Sequence, residues 1–380
     1  MNFELAEEYQ MVRRMVRDFA EKEVAPRAEE IDATDTFPVD LLRRMGELGI
    51  IGLPFPEEYG GSGMDYMSLV IALEEIARVS GTMAIVLDAQ TSLCGEPIYL
   101  YGTEEQKRKY LAPVARGEKI GAFGLTEPNA GSDAGATQTR AVRDGDEWVI
   151  NGQKIYITNG SAADVVVITA KTDPDAGTRG ISSFIIEKGT PGFQPGRDEV
   201  KMGLKGSLTS ELFFEDCRIP AENLLGTENE GFKQFLRTLD AGRVAIAAMA
   251  VGLAQGAFEK ALAYAKERHQ FGRPIAKFQA IQWMLAESAT DIEAARLMVH
   301  RAAWLREQGT RFTKEASMAK LLATEVSERV CWKAIQIHGG LGYVREAGVE
   351  RMYRDQRLCA IGEGTNEIQR LVIARQLLRE

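Results

Sequence analysis

A glutamate held between two glycines is the feature of this chain that most suggests chemistry: Ile361-Gly362-Glu363-Gly364-Thr365-Asn366-Glu367-Ile368-Gln369-Arg370. Glycines on both sides let the backbone approach a ligand closely and leave Glu363 unshielded by its neighbours. A carboxylate so placed suits proton abstraction. Thr365 or Asn366 would cap the helix that follows. The structural alternative is that Glu363 only favours the positive end of that helix, an effect of roughly 0.3–1 kcal/mol. Two more segments are rich in small polar residues. Phe123-Gly124-Leu125-Thr126-Glu127-Pro128-Asn129-Ala130-Gly131-Ser132-Asp133 reads as a strand entering a loop whose amides and hydroxyls are free to meet a ligand, and such loops often carry function. Tyr156-Ile157-Thr158-Asn159-Gly160 closes a strand with a ring and a hydroxyl two residues apart, hence on one face. A flat heteroaromatic ring can lie against such an edge. A tight connection between strands and a plain strand-to-turn junction are the bland alternatives for these two.

Other chemistries find less support. The three histidines, His269, His300 and His338, have no metal-site spacing. Cys94, Cys217, Cys331 and Cys359 are far apart and form no C-x-x-C pair, so they read as buried reduced thiols. No metal site is expected. Neither G-x-G-x-x-G nor G-x-x-x-x-G-K-[ST] occurs, so any nucleotide cofactor must be held by other means than those two phosphate-binding loops.

The elements that must position these residues change twice along the chain. From Phe3 to about Gly117 apolar residues recur at helical spacing, as in Met11, Met15, Val16, Phe19 and Ala20. Thr103 and Gln106 form a capping box opening a helix over 104–115. From 119 onward short β-branched or alternating runs predict strands over 137–142, 147–150, 154–158, 165–170, 181–186 and 210–214. Asp144-Gly145 and Asn151-Gly152 read as tight turns between them. No helical run separates the strands, so an antiparallel sheet is expected. Helical periodicity returns over 232–267, 277–307, 314–337 and 366–378, long segments that pack as a bundle. The expected fold is α+β: an N-terminal helical domain (1–118), a middle antiparallel β domain (119–226) and a C-terminal four-helix bundle (227–380).

The chain has 380 residues, 45% of them hydrophobic, and a formal net charge of −9. That balance argues against nucleic acid and anionic membrane as partners. The acidic opening Met1-Asn2-Phe3-Glu4 is unlike a secretory or transit leader, and a cytoplasmic protein is expected. The longest apolar stretch, 244–258, holds Gln255 and falls short of the roughly 20 residues of a membrane span. It reads as a close-packed buried helix.

Thr-Glu-Pro-Asn-Ala-Gly-Ser-Asp (126–133), Tyr-Ile-Thr-Asn-Gly (156–160), Glu-Arg-His-Gln-Phe-Gly-Arg-Pro (267–274) and Glu-Gly-Thr-Asn-Glu-Ile-Gln-Arg (363–370) occur in this order over the whole chain. Together they closely resemble the acyl-CoA dehydrogenase family, short-chain or butyryl-CoA members above all. The resemblance implies an enzyme with FAD as cofactor, an acyl-CoA substrate, electron transfer flavoprotein as electron acceptor and a homotetrameric assembly. It assigns Phe123, Leu125, Thr126, Ser132, Tyr156 and Thr158 to FAD. Arg268, Phe271, Gln279 and the Gln336-Ile337-His338-Gly339-Gly340 turn would reach the FAD of a neighbouring subunit. Thr365 and Glu367 match positions near FAD at a helix N-terminus, a natural seat for a diphosphate. Asp240, Arg243 and Gly364 would contact the acyl-CoA, as would Ser132 in part, while a surface salt bridge is the alternative for Asp240 and Arg243.

By the same resemblance Glu363 takes the α-proton while the β-hydrogen leaves as hydride to flavin N5. The Glu363 amide and a ribityl hydroxyl would bind the thioester carbonyl as an oxyanion hole. Some members carry the base just before the arginine equivalent to Arg243, but that position here is Gly242. Many straight-chain members have Tyr before the base, where this chain has Gly362. The missing ring leaves room for a branched acyl group, whereas Asp-Ala-Gly-Arg (240–243) looks short-chain. An oxidase or monooxygenase of the same fold, or a silent CoA-binding scaffold, are the competing readings.

Overall fold

The computed structural model describes residues 4–378. Residues 1–3, where the first helical region was expected to begin, and 379–380 lie outside the described residues. The chain opens with α1 (Glu7–Phe19), α2 (Ala28–Thr34), α3 (Val39–Glu47), α4 (Tyr66–Ala77), α5 (Gly81–Asp88), α6 (Glu96–Tyr101), α7 (Glu104–Gln106) and α8 (Ala112–Ala115). In α1 the buried stripe is Val12, Val16 and Phe19, while Met11, expected on it, is 54% exposed. The other expected positions hold, with Val16, Phe19 and Ala20 buried and Met15 packed against the core. Every residue of α4 and α5 is buried, and Asp65 and Ser80 cap them through their side chains. The Thr103/Gln106 capping box is formed, and a π-helical turn (Lys107–Leu111) carries that helix on to Ala115. A second π-helical turn (Ala89–Gly95) extends α5.

The middle of the chain holds β1 (Gly121–Gly124), β2 (Arg140–Asp144), β3 (Glu147–Thr158), β4 (Val165–Lys171), β5 (Ile181–Glu187), β6 (Phe193–Asp198), β7 (Thr209–Pro220) and β8 (Leu224–Leu225). Their order is β6-β7-β3-β2-β4-β5-β8, with β1 beside β4. Most pairs are antiparallel, but β1 and β2 both meet β4 in parallel, so the sheet is mixed where a wholly antiparallel one was expected. No crossover helix is needed, because the β2–β3 hairpin itself fills the connection from β1 to β4. Asp144-Gly145 makes the expected tight turn, with Asp144 facing Glu147. Asn151-Gly152 does not: β3 runs straight through it as one strand with a bulge against β7. A side chain at Gly152 would meet Thr139 at 2.5 Å, so the glycine serves close packing there. The Tyr156 backbone is left-handed (φ 58°), and a second register shift falls between Lys154 and Ile157. That shift breaks the simple alternation expected to put Tyr156 and Thr158 on one face.

After β8 come the long helices α9 (Gly231–Glu267), α10 (Gln279–Glu307) and α11 (Thr313–His338), preceded and joined by short pieces including β9 (His269–Gln270) and β10 (Arg273–Pro274). Short α12 (Gly340–Tyr343) and α13 (Val349–Gln356) lead to α14 (Asn366–Leu377). By length and composition α9 alone among the described helices could cross a membrane, yet 89% of its most apolar window is buried inside the molecule. Residues 244–254 are all buried, as a close-packed core helix requires. The helices before and after the sheet share one apolar core, which joins Val16, Leu69 and Ile76 to Val244, Leu253 and Val330. The sheet has its own core around Trp148, Phe184 and Phe214.

Two glycines let α9 lie directly on the backbone of α4 and its end: a Cβ at Gly252 would stand 2.3 Å from the Glu74 carbonyl oxygen, and one at Gly256 would stand 2.0 Å from that of Arg78. Gly252→Val should therefore destabilise the protein by about 1–3 kcal/mol through overpacking, read as a lower denaturation midpoint with unchanged slope. Gly131→Ala, where a Cβ meets nothing within 4 Å, is the control that should leave the midpoint in place.

Candidate active site

Glu363 sits in the link between a 3₁₀ turn (Arg357–Ala360) and α14, with a left-handed backbone (φ 56°) followed by Gly364 (φ 91°). A non-glycine residue in this region persists only where its surroundings over-determine it. Here Lys320 of α11 donates to the Gly364 carbonyl at 2.8 Å and to Asn366 Oδ1 at 3.1 Å. Gln369 donates to the same Gly364 carbonyl at 2.8 Å and to the Glu363 carbonyl at 3.3 Å. Thr365, rather than Asn366, is the cap of α14, accepting from the Ile368 amide at 3.4 Å. Lys320 is fully buried, and burial brings its ammonium down to about 8, so it is charged at neutral pH.

The Glu363 carboxyl turns inward against α9. Both of its oxygens are buried and receive no hydrogen bond. A Cβ at Gly242 would lie 2.1 Å from Glu363 Oε2, so the absence of a side chain at 242 is what makes room for the acid. Burial, then the neighbouring Asp88, push the Glu363 carboxyl well above its ordinary range, while Lys320 and Arg243 pull the other way. The preceding residue of α9 is pinned by Tyr66, whose hydroxyl donates to the Ala241 carbonyl at 2.6 Å. The guanidinium of Arg306 lies 3.6 Å from the Tyr66 ring centroid and donates to Glu96 at 2.7 Å.

One turn of α9 carries both Gly242 and the Asp240–Arg243 pair. Arg243 donates to Asp240 Oδ1 at 2.7 Å and Thr313 donates to Asp240 Oδ2 at 2.5 Å. The pair is not a surface salt bridge, since the two side chains are only 6% and 15% exposed. They border a cleft of about 320 Å³ that also gathers Arg237, Arg311 and Arg375. These three arginines were not singled out in the sequence, although Arg237, Asp240 and Arg243 recur at three-residue spacing on one helix.

In the sheet, Phe123 on β1 and Leu125 and Thr126 just beyond it are half-buried. The Ile155 amide donates to the Thr126 carbonyl at 2.8 Å, which sets this loop beside Tyr156 and Thr158. Tyr156 is 62% exposed, Thr158 half-buried and Ser132 exposed. A buried ion pair anchors the loop from below: Lys154 donates to Glu127 Oε1 at 2.7 Å and to the Leu125 carbonyl at 3.1 Å. Burial alone would raise the Glu127 carboxyl, but Lys154, Thr137 and the Gln138 amide outweigh it and hold it at about 2. Burial lowers the Lys154 ammonium to about 8 against the pull of Glu127, so both are charged at neutral pH.

Arg268, Phe271, Gln279, Gln336, Gly339 and Gly340 are exposed, as is Glu367 in the first turn of α14. Ile337 and His338 are buried. His338 stacks on Tyr264 with 4.5 Å between ring centroids, and its Nδ1–H donates to the Ala334 carbonyl at 2.7 Å. Burial lowers its pKa, which keeps the ring neutral and gives it a packing role. The fold thus gathers Glu363, Gly364, Asp240 and Arg243 at one junction and the 123–126 and 156–158 segments at one sheet edge. The positions 268–279 and 336–340 lie near the ends of α9, α10 and α11. Asp88 and Lys320 escaped sequence reasoning. For Asp88 a signal existed, because it is the only charge between Arg78 and Glu96.

Compared with known proteins, the chain matches three family models: acyl-CoA dehydrogenase N-terminal domain over 6–118, middle domain over 122–217 and C-terminal domain over 229–378. It is 53% identical to the short-chain specific acyl-CoA dehydrogenase of Clostridium acetobutylicum, covering 100% of both chains. It superposes on butyryl-CoA dehydrogenase from Megasphaera elsdenii with a TM-score of 0.98 at 46% identity, again over 100% of both. A chain in the solved structure of the electron transferring flavoprotein of Acidaminococcus fermentans gives a TM-score of 0.99 at 52% identity over 100% of both.

The Lys154–Glu127 pair makes a stability prediction. Removing one partner leaves a buried unpaired charge, so Lys154→Met and Glu127→Gln should each cost about 3–5 kcal/mol. The double variant should recover much of that loss in urea denaturation. Because the folded Glu127 carboxyl is held near 2, below its ordinary value near 4.5, its contribution is present above 4.5 and lost as pH falls toward 2. Acid denaturation of the double variant should accordingly show a shallower pH dependence through that window.

Proposed function

The chain belongs to the acyl-CoA dehydrogenase family, and from that premise we propose that it desaturates a short acyl-CoA thioester between its α and β carbons with Glu363 as the base. The observation that carries this reading is the Glu363 carboxyl: buried, without a donor, on a backbone fixed by Lys320 and Gln369, and facing a gap in α9. A carboxyl kept out of water with no hydrogen bond to its charged form has a raised proton affinity. It is thereby a stronger acceptor for the weakly acidic α-hydrogen of a thioester.

The residues available for FAD fit that group. Among the described residues the hydroxyls of Thr126, Ser132 and Thr158 are held by no intrachain hydrogen bond; Thr126 and Thr158 are half-buried and Ser132 is exposed. Phe123, Leu125 and Tyr156 supply apolar surface for a flat ring, and Thr365 and Glu367 border the open N-terminus of α14. Gly339 and Gly340 have no atom within 4 Å of an added Cβ, which leaves their backbone open to a group from another subunit. FAD, when bound, supplies the acceptor for the hydride that leaves the β-carbon.

The chain's own residues do the rest. Glu363 takes the α-proton at its carboxylate, and its amide, beside the Gly364 link, is the donor available to the thioester oxygen. Arg243, held by Asp240, lies on the wall toward the arginine-bordered cleft, which suits the anionic CoA portion. A Cβ at Gly362 would meet only Leu358 at 3.6–4.0 Å, so the site has space beside the base. Likeness to short-chain and butyryl-CoA enzymes supports a short acyl group, straight or branched. The likeness to a chain in an electron transferring flavoprotein structure supports that flavoprotein as the electron acceptor. Phe271 and Tyr343, 92% and 88% exposed, and Trp283 and Trp332 supply apolar surface for a homotetrameric assembly.

Anaerobic addition of butyryl-CoA or isovaleryl-CoA to the flavin-loaded protein should bleach its visible absorbance. Glu363→Gln should keep FAD and acyl-CoA binding but lower turnover by at least ~10²-fold. Retained turnover in that variant would remove Glu363 from the reaction. Since only ionised Glu363 can accept the proton, kcat/KM should fall as pH drops through its raised pKa.

A further inference from the structure

Glu363 has a second carboxyl beside it. Asp88, the last residue of α5, is 0% exposed where that helix passes into the π-helical turn Ala89–Gly95. Its carboxyl neighbours that of Glu363: Glu363 is the ionisable group that acts on Asp88, and Asp88 is the one that acts most strongly on Glu363. Neither oxygen of either group receives a hydrogen bond from an N–H or O–H of the chain. Ser92, in the same turn, eases Asp88's ionisation without reaching hydrogen-bond geometry.

Two ionised carboxylates cannot lie in contact in a buried site without a cation between them. The cations that face the pair are already engaged: Lys320 from α11 at Gly364 and Asn366, and Arg243 from α9 at Asp240. Tyr66 from α4 and Cys359 from the 3₁₀ turn are buried acids held neutral, and Arg306 beyond Tyr66 is paired with Glu96. A single proton resolves the arrangement, since it turns one carboxyl into a donor to the other.

We propose that Asp88 is a positioning residue for the base: in the resting protein its carboxyl and that of Glu363 share one proton, and Asp88 governs when Glu363 is free to accept another. Burial holds Asp88 at about 6 and, with Asp88 beside it, keeps Glu363 well above its ordinary range. Such values belong to the pair, which keeps one proton above the pH of about 6 at which Asp88 ionises. The catalytic consequence rests on Glu363 being the base, as proposed above.

Asp88→Asn preserves size and a hydrogen-bond donor but removes the charge. Glu363 should then ionise at lower pH, so the acid side of the kcat/KM profile should move down by about one pH unit or more, with FAD content unchanged. An unmoved acid limb would overturn the proposal. Infrared difference spectra of the resting protein at pH 7, above the Asp88 value of about 6, test the shared proton without turnover. The protonated-carboxyl stretch of the wild type should vanish in Asp88→Asn and also in Glu363→Gln. Its absence from the wild type, or survival in either variant, would equally overturn it. Turnover by Glu363→Gln would instead defeat the assignment of the base, leaving the infrared result to decide the proton.

Discussion

The structure around the site depends on keeping one carboxyl group in a place where carboxylates are unstable. Glu363 combines a left-handed backbone, a buried carboxyl and no donor to its oxygens. Each of those is unfavourable alone, with the backbone conformation of order 1–3 kcal/mol. Three helices share the work of holding it: α11 through Lys320, α14 through Gln369 and its Thr365 cap, and α9 through the missing side chain at Gly242. The last contribution excludes an alternative. A carboxylate-bearing residue at 242 and an inward Glu363 compete for one volume, so the inward Glu363 requires 242 to be empty.

Because α9 must bring Gly242 to that point, its own position matters. Gly252 and Gly256 seat it on the backbone of α4 and its end, and Tyr66 ties α4 to the Ala241 carbonyl next to Gly242. The helices on both sides of the sheet therefore form one packed body, although more than 100 residues separate α8 from α9. The sheet is fastened to that body through residues 204–206. The Leu204 amide donates to Asp355 at 2.6 Å, the Gly206 amide donates to Asp35 at 2.6 Å, and Thr82 donates to the Lys205 carbonyl at 2.8 Å. Charge placed inside the fold thus recurs as a positioning device, with Lys154–Glu127 doing for the 123–133 loop what Lys320 does for Gly364.

Much of this was legible in the sequence where the signal is local. Helical periodicity located the long helices to within a residue or two, the Thr103/Gln106 box was formed, and Asp144-Gly145 turned as its residue types require. Asn151-Gly152 misled because the same dipeptide can relieve crowding: its glycine makes room for Thr139, a neighbour thirteen residues away that no local pattern reveals. The strand 193–198 was missed since Pro195 and Gly196 read as loop, yet it pairs with β7 at the end of the sheet's order, where such residues are tolerated. The sequence motifs reached Glu363, Asp240 and Arg243 but could not show that Gly242 is a space and not simply a missing acid.

Asp88 and Lys320 show why the remainder was hidden. A buried charge makes sense only with its partner, and the partners here are 275 and 44 residues away along the chain. What a sequence offers is the anomaly alone: one carboxylate in a stretch otherwise without charge from 79 to 95. An ionisable side chain in such a run is expensive to bury unless it is neutralised or paired. Its presence at the end of a wholly buried helix therefore already implies a specific neighbour. That neighbour is itself an acid, and the protonation of the two is a single property of the site, so neither residue's chemistry can be assigned from its own surroundings.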